Sequence, residues 1–121
     1  MTAHVDTARL SVVGWPGLQT RLLRTDPSTE SLADYTAAGG YRPLGDAEAL
    51  LTEVTAAGVQ GRGGAAFPLG VKLATVRTSH RAGWDTVVLA NGEEGEPASV
   101  KDRWLMRNRP HLVLDGLRLA A

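Results

Sequence analysis

The residues best suited to chemistry lie in a glycine-rich stretch, Gly58–Leu73. Within it, the run Gly61–Gly64 can expose several backbone N–H groups in one concave turn, because glycine accepts conformations that a Cβ forbids. Such a turn attracts anions, above all phosphate. The apolar run after Pro68 predicts a helix whose N-terminus adds partial positive charge, and Lys72 would lie about one turn inside it. The stretch therefore predicts a nucleotide or flavin phosphate site.

Other glycine motifs fit this stretch less well. Residues 61–66 match a loose G-x-G-x-x-A fingerprint, but that fingerprint needs a preceding strand and an acidic residue about 20 positions later. Here the preceding segment is predicted to be helical, and the closing residues of a P-loop are missing. Arg62-Gly63-Gly64 also resembles an RNA-binding RGG element. Because there is one copy in a chain of zero net charge, no nucleic-acid partner is predicted.

A second set of candidate residues carries acidic groups. The segment Asp85–Ala90 is short, branched and apolar, and it predicts a buried strand. Asn91, Glu93, Glu94 and Glu96 follow the strand at its C-terminal end, where ligands bind in α/β folds. Three carboxylates so close together repel one another unless they are solvated or paired. They predict either an exposed acidic turn or acceptors for the ribose hydroxyls of a nucleotide.

Local signals indicate the helices that must position these residues. Ser31 is a good N-cap for a short helix through Ala38, and Asp46 is a good N-cap for a helix over Ala47–Ala57. Gly58 then ends the second helix as a C′ residue. The glycine stretch is therefore predicted to be held by a helix at each end.

The remaining segments complete the predicted fold. Arg9–Val13 predicts a short strand, Gly14–Gly17 a turn, and Pro110–Ala121 a helix that begins with proline at its first position. We predict an α/β fold with an N-terminal strand and loop region over residues 1–30. A second region over residues 31–121 carries both sets of candidate residues.

Composition limits the classes of protein to which the chain can belong. Its 121 residues suffice for one domain with a modest core, and its net charge of zero implies no polyelectrolyte partner. The chain has no cysteine, which excludes a disulfide or a cysteine-ligated iron–sulfur cluster within it. It contains no apolar run of about 20 residues and no signal-peptide pattern at its start. We therefore expect a cytoplasmic chain without direct membrane insertion.

Four ordered blocks of sequence resemble one known family. Gly58–Leu73 resembles the signature G-L-R-G-R-G-G-A-G-F-P-T-G-L-K-W of the flavoprotein subunit of respiratory complex I. Val88–Pro97 resembles that family's V-x-N-A-D-E-G-E-P, and Lys101–Leu112 resembles its F-K-D-R-x-L-M-x-x-x-P-H-L. Upstream, Ser31–Tyr41 resembles L-x-x-Y-x-x-x-G-G-Y. The likeness extends over residues 31–121, and Ala66 stands where the family has glycine.

The resemblance implies an N-terminal helical segment followed by the first part of a Rossmann-like FMN-binding domain. It also implies FMN and NADH as cofactors and a set of contacts to them. No side chain is predicted to act as an acid, base or nucleophile, and no metal site is predicted. The implied contacts are Gly61, Arg62, Gly63 and Lys72 with FMN; Asn91, Glu93 and Glu94 with polar groups of the flavin; Gly64, Ala65 and Phe67 at the border of the NADH site; and Glu94 and Glu96 with polar groups of NADH.

The activity implied by the resemblance is that of an NADH dehydrogenase of the quinone-reducing type. A hydride passes from NADH to FMN, and electrons continue to an iron–sulfur protein or subunit. Later family segments that carry a G-E-E-T motif, a proline-rich loop and the cluster cysteines do not occur in this sequence. We therefore expect an incomplete flavin cleft, with weak or no FMN binding and no activity in the isolated chain. Because such subunits work in larger complexes, a location at the inner face of the membrane is compatible with the sequence.

Alternative interpretations of the chain remain open at this point. It can be a non-catalytic fragment or remnant of such a subunit. It can also belong to a diaphorase-type subunit of an NAD-linked hydrogenase or formate dehydrogenase, since these share the family's motifs.

Overall fold

The computed structural model describes residues 11–62, 64–96 and 98–121. Within these ranges the chain forms five α-helices and no β-strand. The helices are α1 (Leu32–Ala37), α2 (Ala47–Ala56), α3 (Leu69–Ser79), α4 (Lys101–Asn108) and α5 (Pro110–Ala120). The described chain is therefore mostly helical, which corrects the strand component of the predicted α/β fold.

The described residues divide into two compact units, each of which is treated by itself. The first contains the described residues up to Tyr41 together with Leu89–Arg118. The second contains Arg42–Val88 and Leu119–Ala121. The predicted boundary between residues 1–30 and 31–121 stays a prediction.

The predicted N-caps Ser31 and Asp46 and the predicted glycine after α2 are confirmed, while α1 and α2 each end one residue before the predicted position. The Ser31 hydroxyl accepts a hydrogen bond from the backbone N–H of Asp34, whose carboxylate accepts from the N–H of Ser31, so a complete capping box begins α1. The Asp46 carboxylate accepts from the N–H of Glu48 at the start of α2. Gly58 follows α2 with φ of 60°, a left-handed conformation that glycine adopts without strain. These ends depend on neighbouring residues alone, so the sequence is enough to place them.

The two predicted strands are not found where the structure describes them. Residues 85–90 form no strand, and the side chains of Val87 and Leu89 are 83% and 82% exposed. The prediction of a buried strand was wrong because a strand needs neighbouring strands for its N–H and C=O groups. The described residues supply none to this segment. Of the strand predicted over Arg9–Val13, the first two residues lie outside the described ranges, and residues 11–13 form no strand.

A buried polar network holds α1 to α5 in the first unit. The Asp115 carboxylate accepts hydrogen bonds from the Tyr35 hydroxyl and from the backbone N–H of Tyr41, each at 2.9 Å. It also accepts from Nε of Arg118 at 3.0 Å. Burial raises the pKa of the Tyr35 phenol to about 12, and its hydrogen bond to Asp115 acts in the same direction. The Tyr41 hydroxyl contacts Nδ1 of His111 at 3.1 Å, which gives this histidine a structural role.

A second buried cluster joins the segment before α1 to the end of α4. The carboxylate of Glu30 is fully buried and pairs with Arg24 and with Nε of Arg109. Arg109 also donates to the backbone carbonyls of Arg21 and Leu22, at 3.0 and 2.9 Å. Buried charges are tolerated only when they are paired and hydrogen-bonded, as they are here. The core of the first unit is therefore specified largely by polar contacts.

The second unit is built on the packing of α2 against α3. Gly70 is buried, and a Cβ at this position would lie 3.2 Å from the Cα of Thr55 on α2. The absence of a side chain therefore lets the two helix backbones approach closely. At the surface, Nη2 of Arg77 lies 2.6 Å from Oε1 of Glu48. The packing fixes the direction in which α3 leaves the glycine stretch.

Candidate functional site

The glycine stretch forms a closed loop between α2 and α3. The N–H of Gly61 donates to the carbonyl of Phe67 at 2.9 Å, and the N–H of Leu69 donates to the carbonyl of Val59 at 2.8 Å. An isolated antiparallel bridge between Gln60 and Pro68 completes the base. Residues 61–67 are thus constrained at both ends, and the loop is presented on a fixed base.

The tip of this loop exposes backbone donors. The backbone N–H groups of Arg62, Gly64 and Ala65 donate to no acceptor within the described part of the chain, and all three residues are exposed. Gly64 has φ of 91°, a conformation that favours glycine. The predicted contact Gly63 lies outside the described residues. Unpaired backbone N–H groups on exposed residues of one loop are the kind of donors that anion sites use.

The start of α3 adds to this positive character. Pro68 occupies the N-cap position, and no side chain caps the helix. The first N–H groups of a helix have no partner within it, and their dipoles favour an anion. Lys72 is exposed in the first turns of α3, and its ammonium group has no ion pair among the described residues. The loop, the open helix terminus and this lysine therefore each provide donors of the kind that suit a phosphate group.

Two further loop residues have informative conformations. Phe67 is half exposed, so its ring is available for stacking on a planar ligand. Ala66 has φ of 49°, in the left-handed region that costs a residue with a Cβ about 1–2 kcal/mol. This is the position at which the resembling family has glycine. The structure thus supplies a conformational reason for glycine there and shows that alanine is accommodated at a cost.

The residues Asn91–Glu96, here called the acidic segment, lie in the first unit and begin with a local turn. Oδ1 of Asn91 accepts a hydrogen bond from the backbone N–H of Glu93 at 3.0 Å. Gly92 packs against α4, since a Cβ there would lie 2.6 Å from the sulfur of Met106. Glu93 and Glu96 are exposed. The carboxylates of Glu93 and Glu96 are therefore in solvent, while the backbone of the segment packs closely against α4.

Glu94 behaves differently from its acidic neighbours. Its side chain is only 3% exposed and accepts hydrogen bonds from the backbone N–H groups of Asp102 and Arg103, at 2.7 and 3.3 Å. The Ser99 hydroxyl donates to it at 3.0 Å. Burial disfavours its charged form, but these hydrogen bonds outweigh burial and lower the pKa of Glu94 to about 2. Glu94 thus caps the N-terminus of α4 from outside the helix.

Sequence reasoning missed both α4 and the role of Glu94 at its start. The residue at the N-cap position of α4 is Val100, which provides no side-chain cap. A cap supplied from eight positions upstream leaves no signal at the helix start itself. The other predicted contacts are accounted for as follows: Gly61, Arg62, Gly64, Ala65, Phe67 and Lys72 lie in the second unit, and Asn91, Glu93, Glu94 and Glu96 lie in the first. A site that both sets share stays a prediction.

The described residues contain neither a metal-binding cluster nor a membrane-spanning helix. No group of three or more His, Asp or Glu side chains there is placed to hold a metal ion. None of the described helices is long and apolar enough to span a membrane.

Comparisons with known proteins converge on one family. A family model described as the Nuo51 FMN-binding domain matches residues 54–121. The second NADH-quinone oxidoreductase F subunit of Rhizobium meliloti (strain 1021) is 37% identical over 101 residues, which cover 78% of this chain and 24% of that relative. The mitochondrial NADH dehydrogenase (ubiquinone) flavoprotein 1 of Dictyostelium discoideum is 39% identical over 71 residues, covering 59% of this chain and 15% of the relative.

A third relative gives the same result. The NADH-quinone oxidoreductase F subunit of Escherichia coli (strain K12) is 32% identical over 105 residues, which cover 82% of this chain and 23% of that relative. The chain therefore spans about a quarter or less of the length of these relatives. No solved structure matches the chain significantly.

Proposed function

The chain belongs to the family of the complex I flavoprotein subunit, and from this premise we propose that its glycine loop and α3 bind the phosphate group of FMN. This proposal depends on the backbone N–H groups of the exposed residues Arg62, Gly64 and Ala65, which have no acceptor in the described chain, and on the start of α3, which has no side-chain cap. Phosphate fits this arrangement because backbone donors and a helix dipole both favour a negative charge. Lys72 would supply the compensating cation.

The proposed site extends beyond the phosphate. Phe67 would stack on the nicotinamide or the adenine of NADH, as its half-exposed ring permits. Asn91 and Glu93 would bind polar groups of the flavin, and Glu96 those of NADH, since carboxylates accept hydrogen bonds from ribose hydroxyls. Gly61, Ala65 and the neighbouring glycines would allow close approach of the backbone to both cofactors.

The proposed activity is that of an NADH-oxidising flavoprotein subunit. The relatives carry names of NADH-quinone oxidoreductase and NADH dehydrogenase subunits, and the matched family domain is described as FMN-binding. When bound, FMN supplies the hydride-accepting chemistry, and the protein binds and orients it. This chain's residues would hold the phosphate, exclude water from one side of the flavin and position NADH. We further propose an iron–sulfur partner that receives the electrons within a multi-subunit complex.

We propose that these residues supply part of a flavin site that further residues complete. The relatives are about four times as long as the matched region, and pockets normally enclose most of their ligand's surface. The isolated chain should therefore bind FMN weakly and should not oxidise NADH. Tight, stoichiometric FMN binding by these 121 residues would contradict this part of the proposal.

A two-by-two titration tests the phosphate site. The chain and its Lys72→Gln variant are each titrated into dilute FMN and into dilute riboflavin, which lacks the phosphate, and flavin fluorescence is followed. Loss of a charged hydrogen bond predicts about tenfold weaker FMN binding in the variant. Riboflavin binding should be the same for both proteins, because the lost contact is to phosphate.

The control variant for this titration is Arg81→Gln. Arg81 is an exposed cation of the same unit that lies beyond the C-terminal end of α3, roughly 16 Å from the loop along the helix. Its removal changes net charge equally but should leave FMN binding unchanged. An equal loss of FMN affinity in both variants would indicate nonspecific charge attraction and would contradict the proposed site.

A further inference from the structure

The carboxylate of Glu94 is fully engaged by the protein itself. Oε1 accepts from the N–H of Asp102 at 2.7 Å and from Oγ of Ser99 at 3.0 Å. Oε2 accepts from the N–H and from Nε of Arg103, both at 3.3 Å. The Lys101 ammonium group lies 3.8 Å from Oε1. Every donor comes from the segment that starts α4, so the contacts tie the acidic segment to that helix.

These contacts leave no capacity for a ligand. An ionised carboxylate offers about four lone-pair sites, and four hydrogen bonds reach this one. The side chain is 3% exposed, so a ribose hydroxyl cannot reach it without displacing the N-terminus of α4. The helix has no other side-chain cap to replace Glu94. An unsatisfied helix terminus is costly, which makes such a displacement unfavourable.

The adjacent acids have the opposite character. Glu93 and Glu96 are exposed, and neither carboxylate has an ion pair within the described ranges. We propose that Glu94 is a positioning residue: it anchors the acidic segment to α4 and thereby presents Asn91 and Glu93 to the flavin and Glu96 to NADH, without contacting either cofactor. This inference rests on the proposed function and revises the contact that the resemblance implies for Glu94.

A spin label measures the anchoring without any ligand. The chain has no cysteine, so Ala98→Cys places a single nitroxide between Glu94 and α4, at an exposed position. In the otherwise unchanged protein the label should show a slow-motion component that is lost in Glu94→Gln. Glu93→Gln, the matched change at the neighbouring exposed acid, should leave that component in place.

A second label separates local release from general unfolding. Glu53→Cys places the nitroxide on the exposed face of α2, in the other unit. Its spectrum should be the same with and without Glu94→Gln. With Glu94 present, acid should mobilise the label at position 98 progressively as the pH falls below about 4.5, the ordinary pKa of the group, towards 2, because protonation of the Glu94 carboxylate weakens the contacts that anchor the segment. In Glu94→Gln this pH step should be absent.

NADH binding to the same proteins distinguishes failure of this inference from failure of the proposed function. If the inference is correct, Glu94→Gln loses the slow component and also weakens NADH binding, whereas Glu96→Gln, at the exposed acid assigned to NADH, weakens binding with the slow component intact. Weaker binding in Glu94→Gln with an unchanged label would make Glu94 a direct ligand and would overturn the inference. An unchanged label with unchanged binding would overturn it equally. If none of the proteins binds NADH measurably, the label alone decides the anchoring, and the FMN and riboflavin titrations decide the proposed function.

Discussion

The glycine loop and the acidic segment differ in how far internal hydrogen bonds satisfy their polar groups. At the loop, amide groups of Arg62, Gly64 and Ala65 are exposed and have no acceptor in the described chain. In the acidic segment, the most buried carboxylate, that of Glu94, is saturated by donors from α4. Both stretches resemble cofactor-binding motifs of one family, yet their polar groups differ in how far the protein itself already satisfies them.

This difference shows how a binding motif can contain residues with different roles. Groups that contact a ligand must be unsatisfied without it, because a ligand cannot replace a good internal hydrogen bond at no cost. Groups that are satisfied internally, such as Glu94, hold the others in place. Internal hydrogen bonding therefore separates contact residues from supporting residues more sharply than residue type does.

The largest effect on the free energy of unfolding is expected in the buried cluster around Glu30 and Arg109, which lies in the same unit as the acidic segment. Glu30→Ala removes the fully buried partner of Arg109 and leaves that guanidinium without its buried counter-ion. Breaking a buried ion pair in this way should lower the free energy of unfolding by about 3–5 kcal/mol. Urea unfolding measures the loss, with the exposed Glu96→Ala as control. A loss below about 1 kcal/mol would show that the cluster does not carry the unit's stability.

The next effect concerns the network between α1 and α5. Tyr35→Phe removes a hydrogen bond to the Asp115 carboxylate, and such bonds to charged groups contribute about 1.5–3 kcal/mol. The wild-type protein should also lose stability as the pH rises from 10 through 12, because the folded chain keeps a phenolic proton that the unfolded chain releases. Thermal unfolding as a function of pH checks both. A Tyr35→Phe variant with the same alkaline loss would contradict this assignment.

A smaller effect is expected within the glycine loop. Ala66→Gly relieves the left-handed conformation at φ of 49°, and the gain is partly offset by the greater entropy of glycine in the unfolded chain. We expect a net stabilisation of about 0.5–1 kcal/mol. Ala65→Gly is the matched control. Because Ala65 does not have positive φ, this substitution should destabilise the folded protein. Equal effects at the two positions would show that the strain at Ala66 is not real.

The smallest effect on stability is expected at the tip of the loop. Arg62→Ala removes an exposed side chain without an internal partner in the described residues, so the free energy of unfolding should change by less than about 0.5 kcal/mol. The same variant should weaken FMN binding if Arg62 faces the ligand. A large loss of stability would mean that the loop tip is part of the folded core, and the contrast with Glu94 would disappear.

The parts of the fold that were predictable from sequence are those fixed by neighbouring residues. Ser31, Asp46 and Gly58 set helix ends through contacts within a few positions, and all three predictions are confirmed. The loop after α2 and the start of α3 follow from the same local signals. The family could be recognised as well, because its motifs occur in order along the chain.

The parts that could not be predicted depend on distant or missing partners. Glu30 and Arg109 are 79 positions apart, and no local pattern links them. The strand predicted over residues 85–90 failed because β-propensity describes a preference that only neighbouring strands can satisfy. Both charge and the family resemblance group Glu94 with Glu93 and Glu96, whereas its burial depends on how the chain folds back onto α4.

The central claim, that the glycine loop and α3 hold the phosphate of FMN, is tested most directly by amide chemical shifts. Nitrogen–proton correlation spectra of the isotopically labelled chain are recorded during titration with FMN and, separately, with riboflavin. We predict that FMN changes the amide chemical shifts of Arg62, Gly64 and Lys72 at concentrations at which riboflavin does not change them. Identical shifts with both flavins, or FMN shifts confined to other residues, would contradict it.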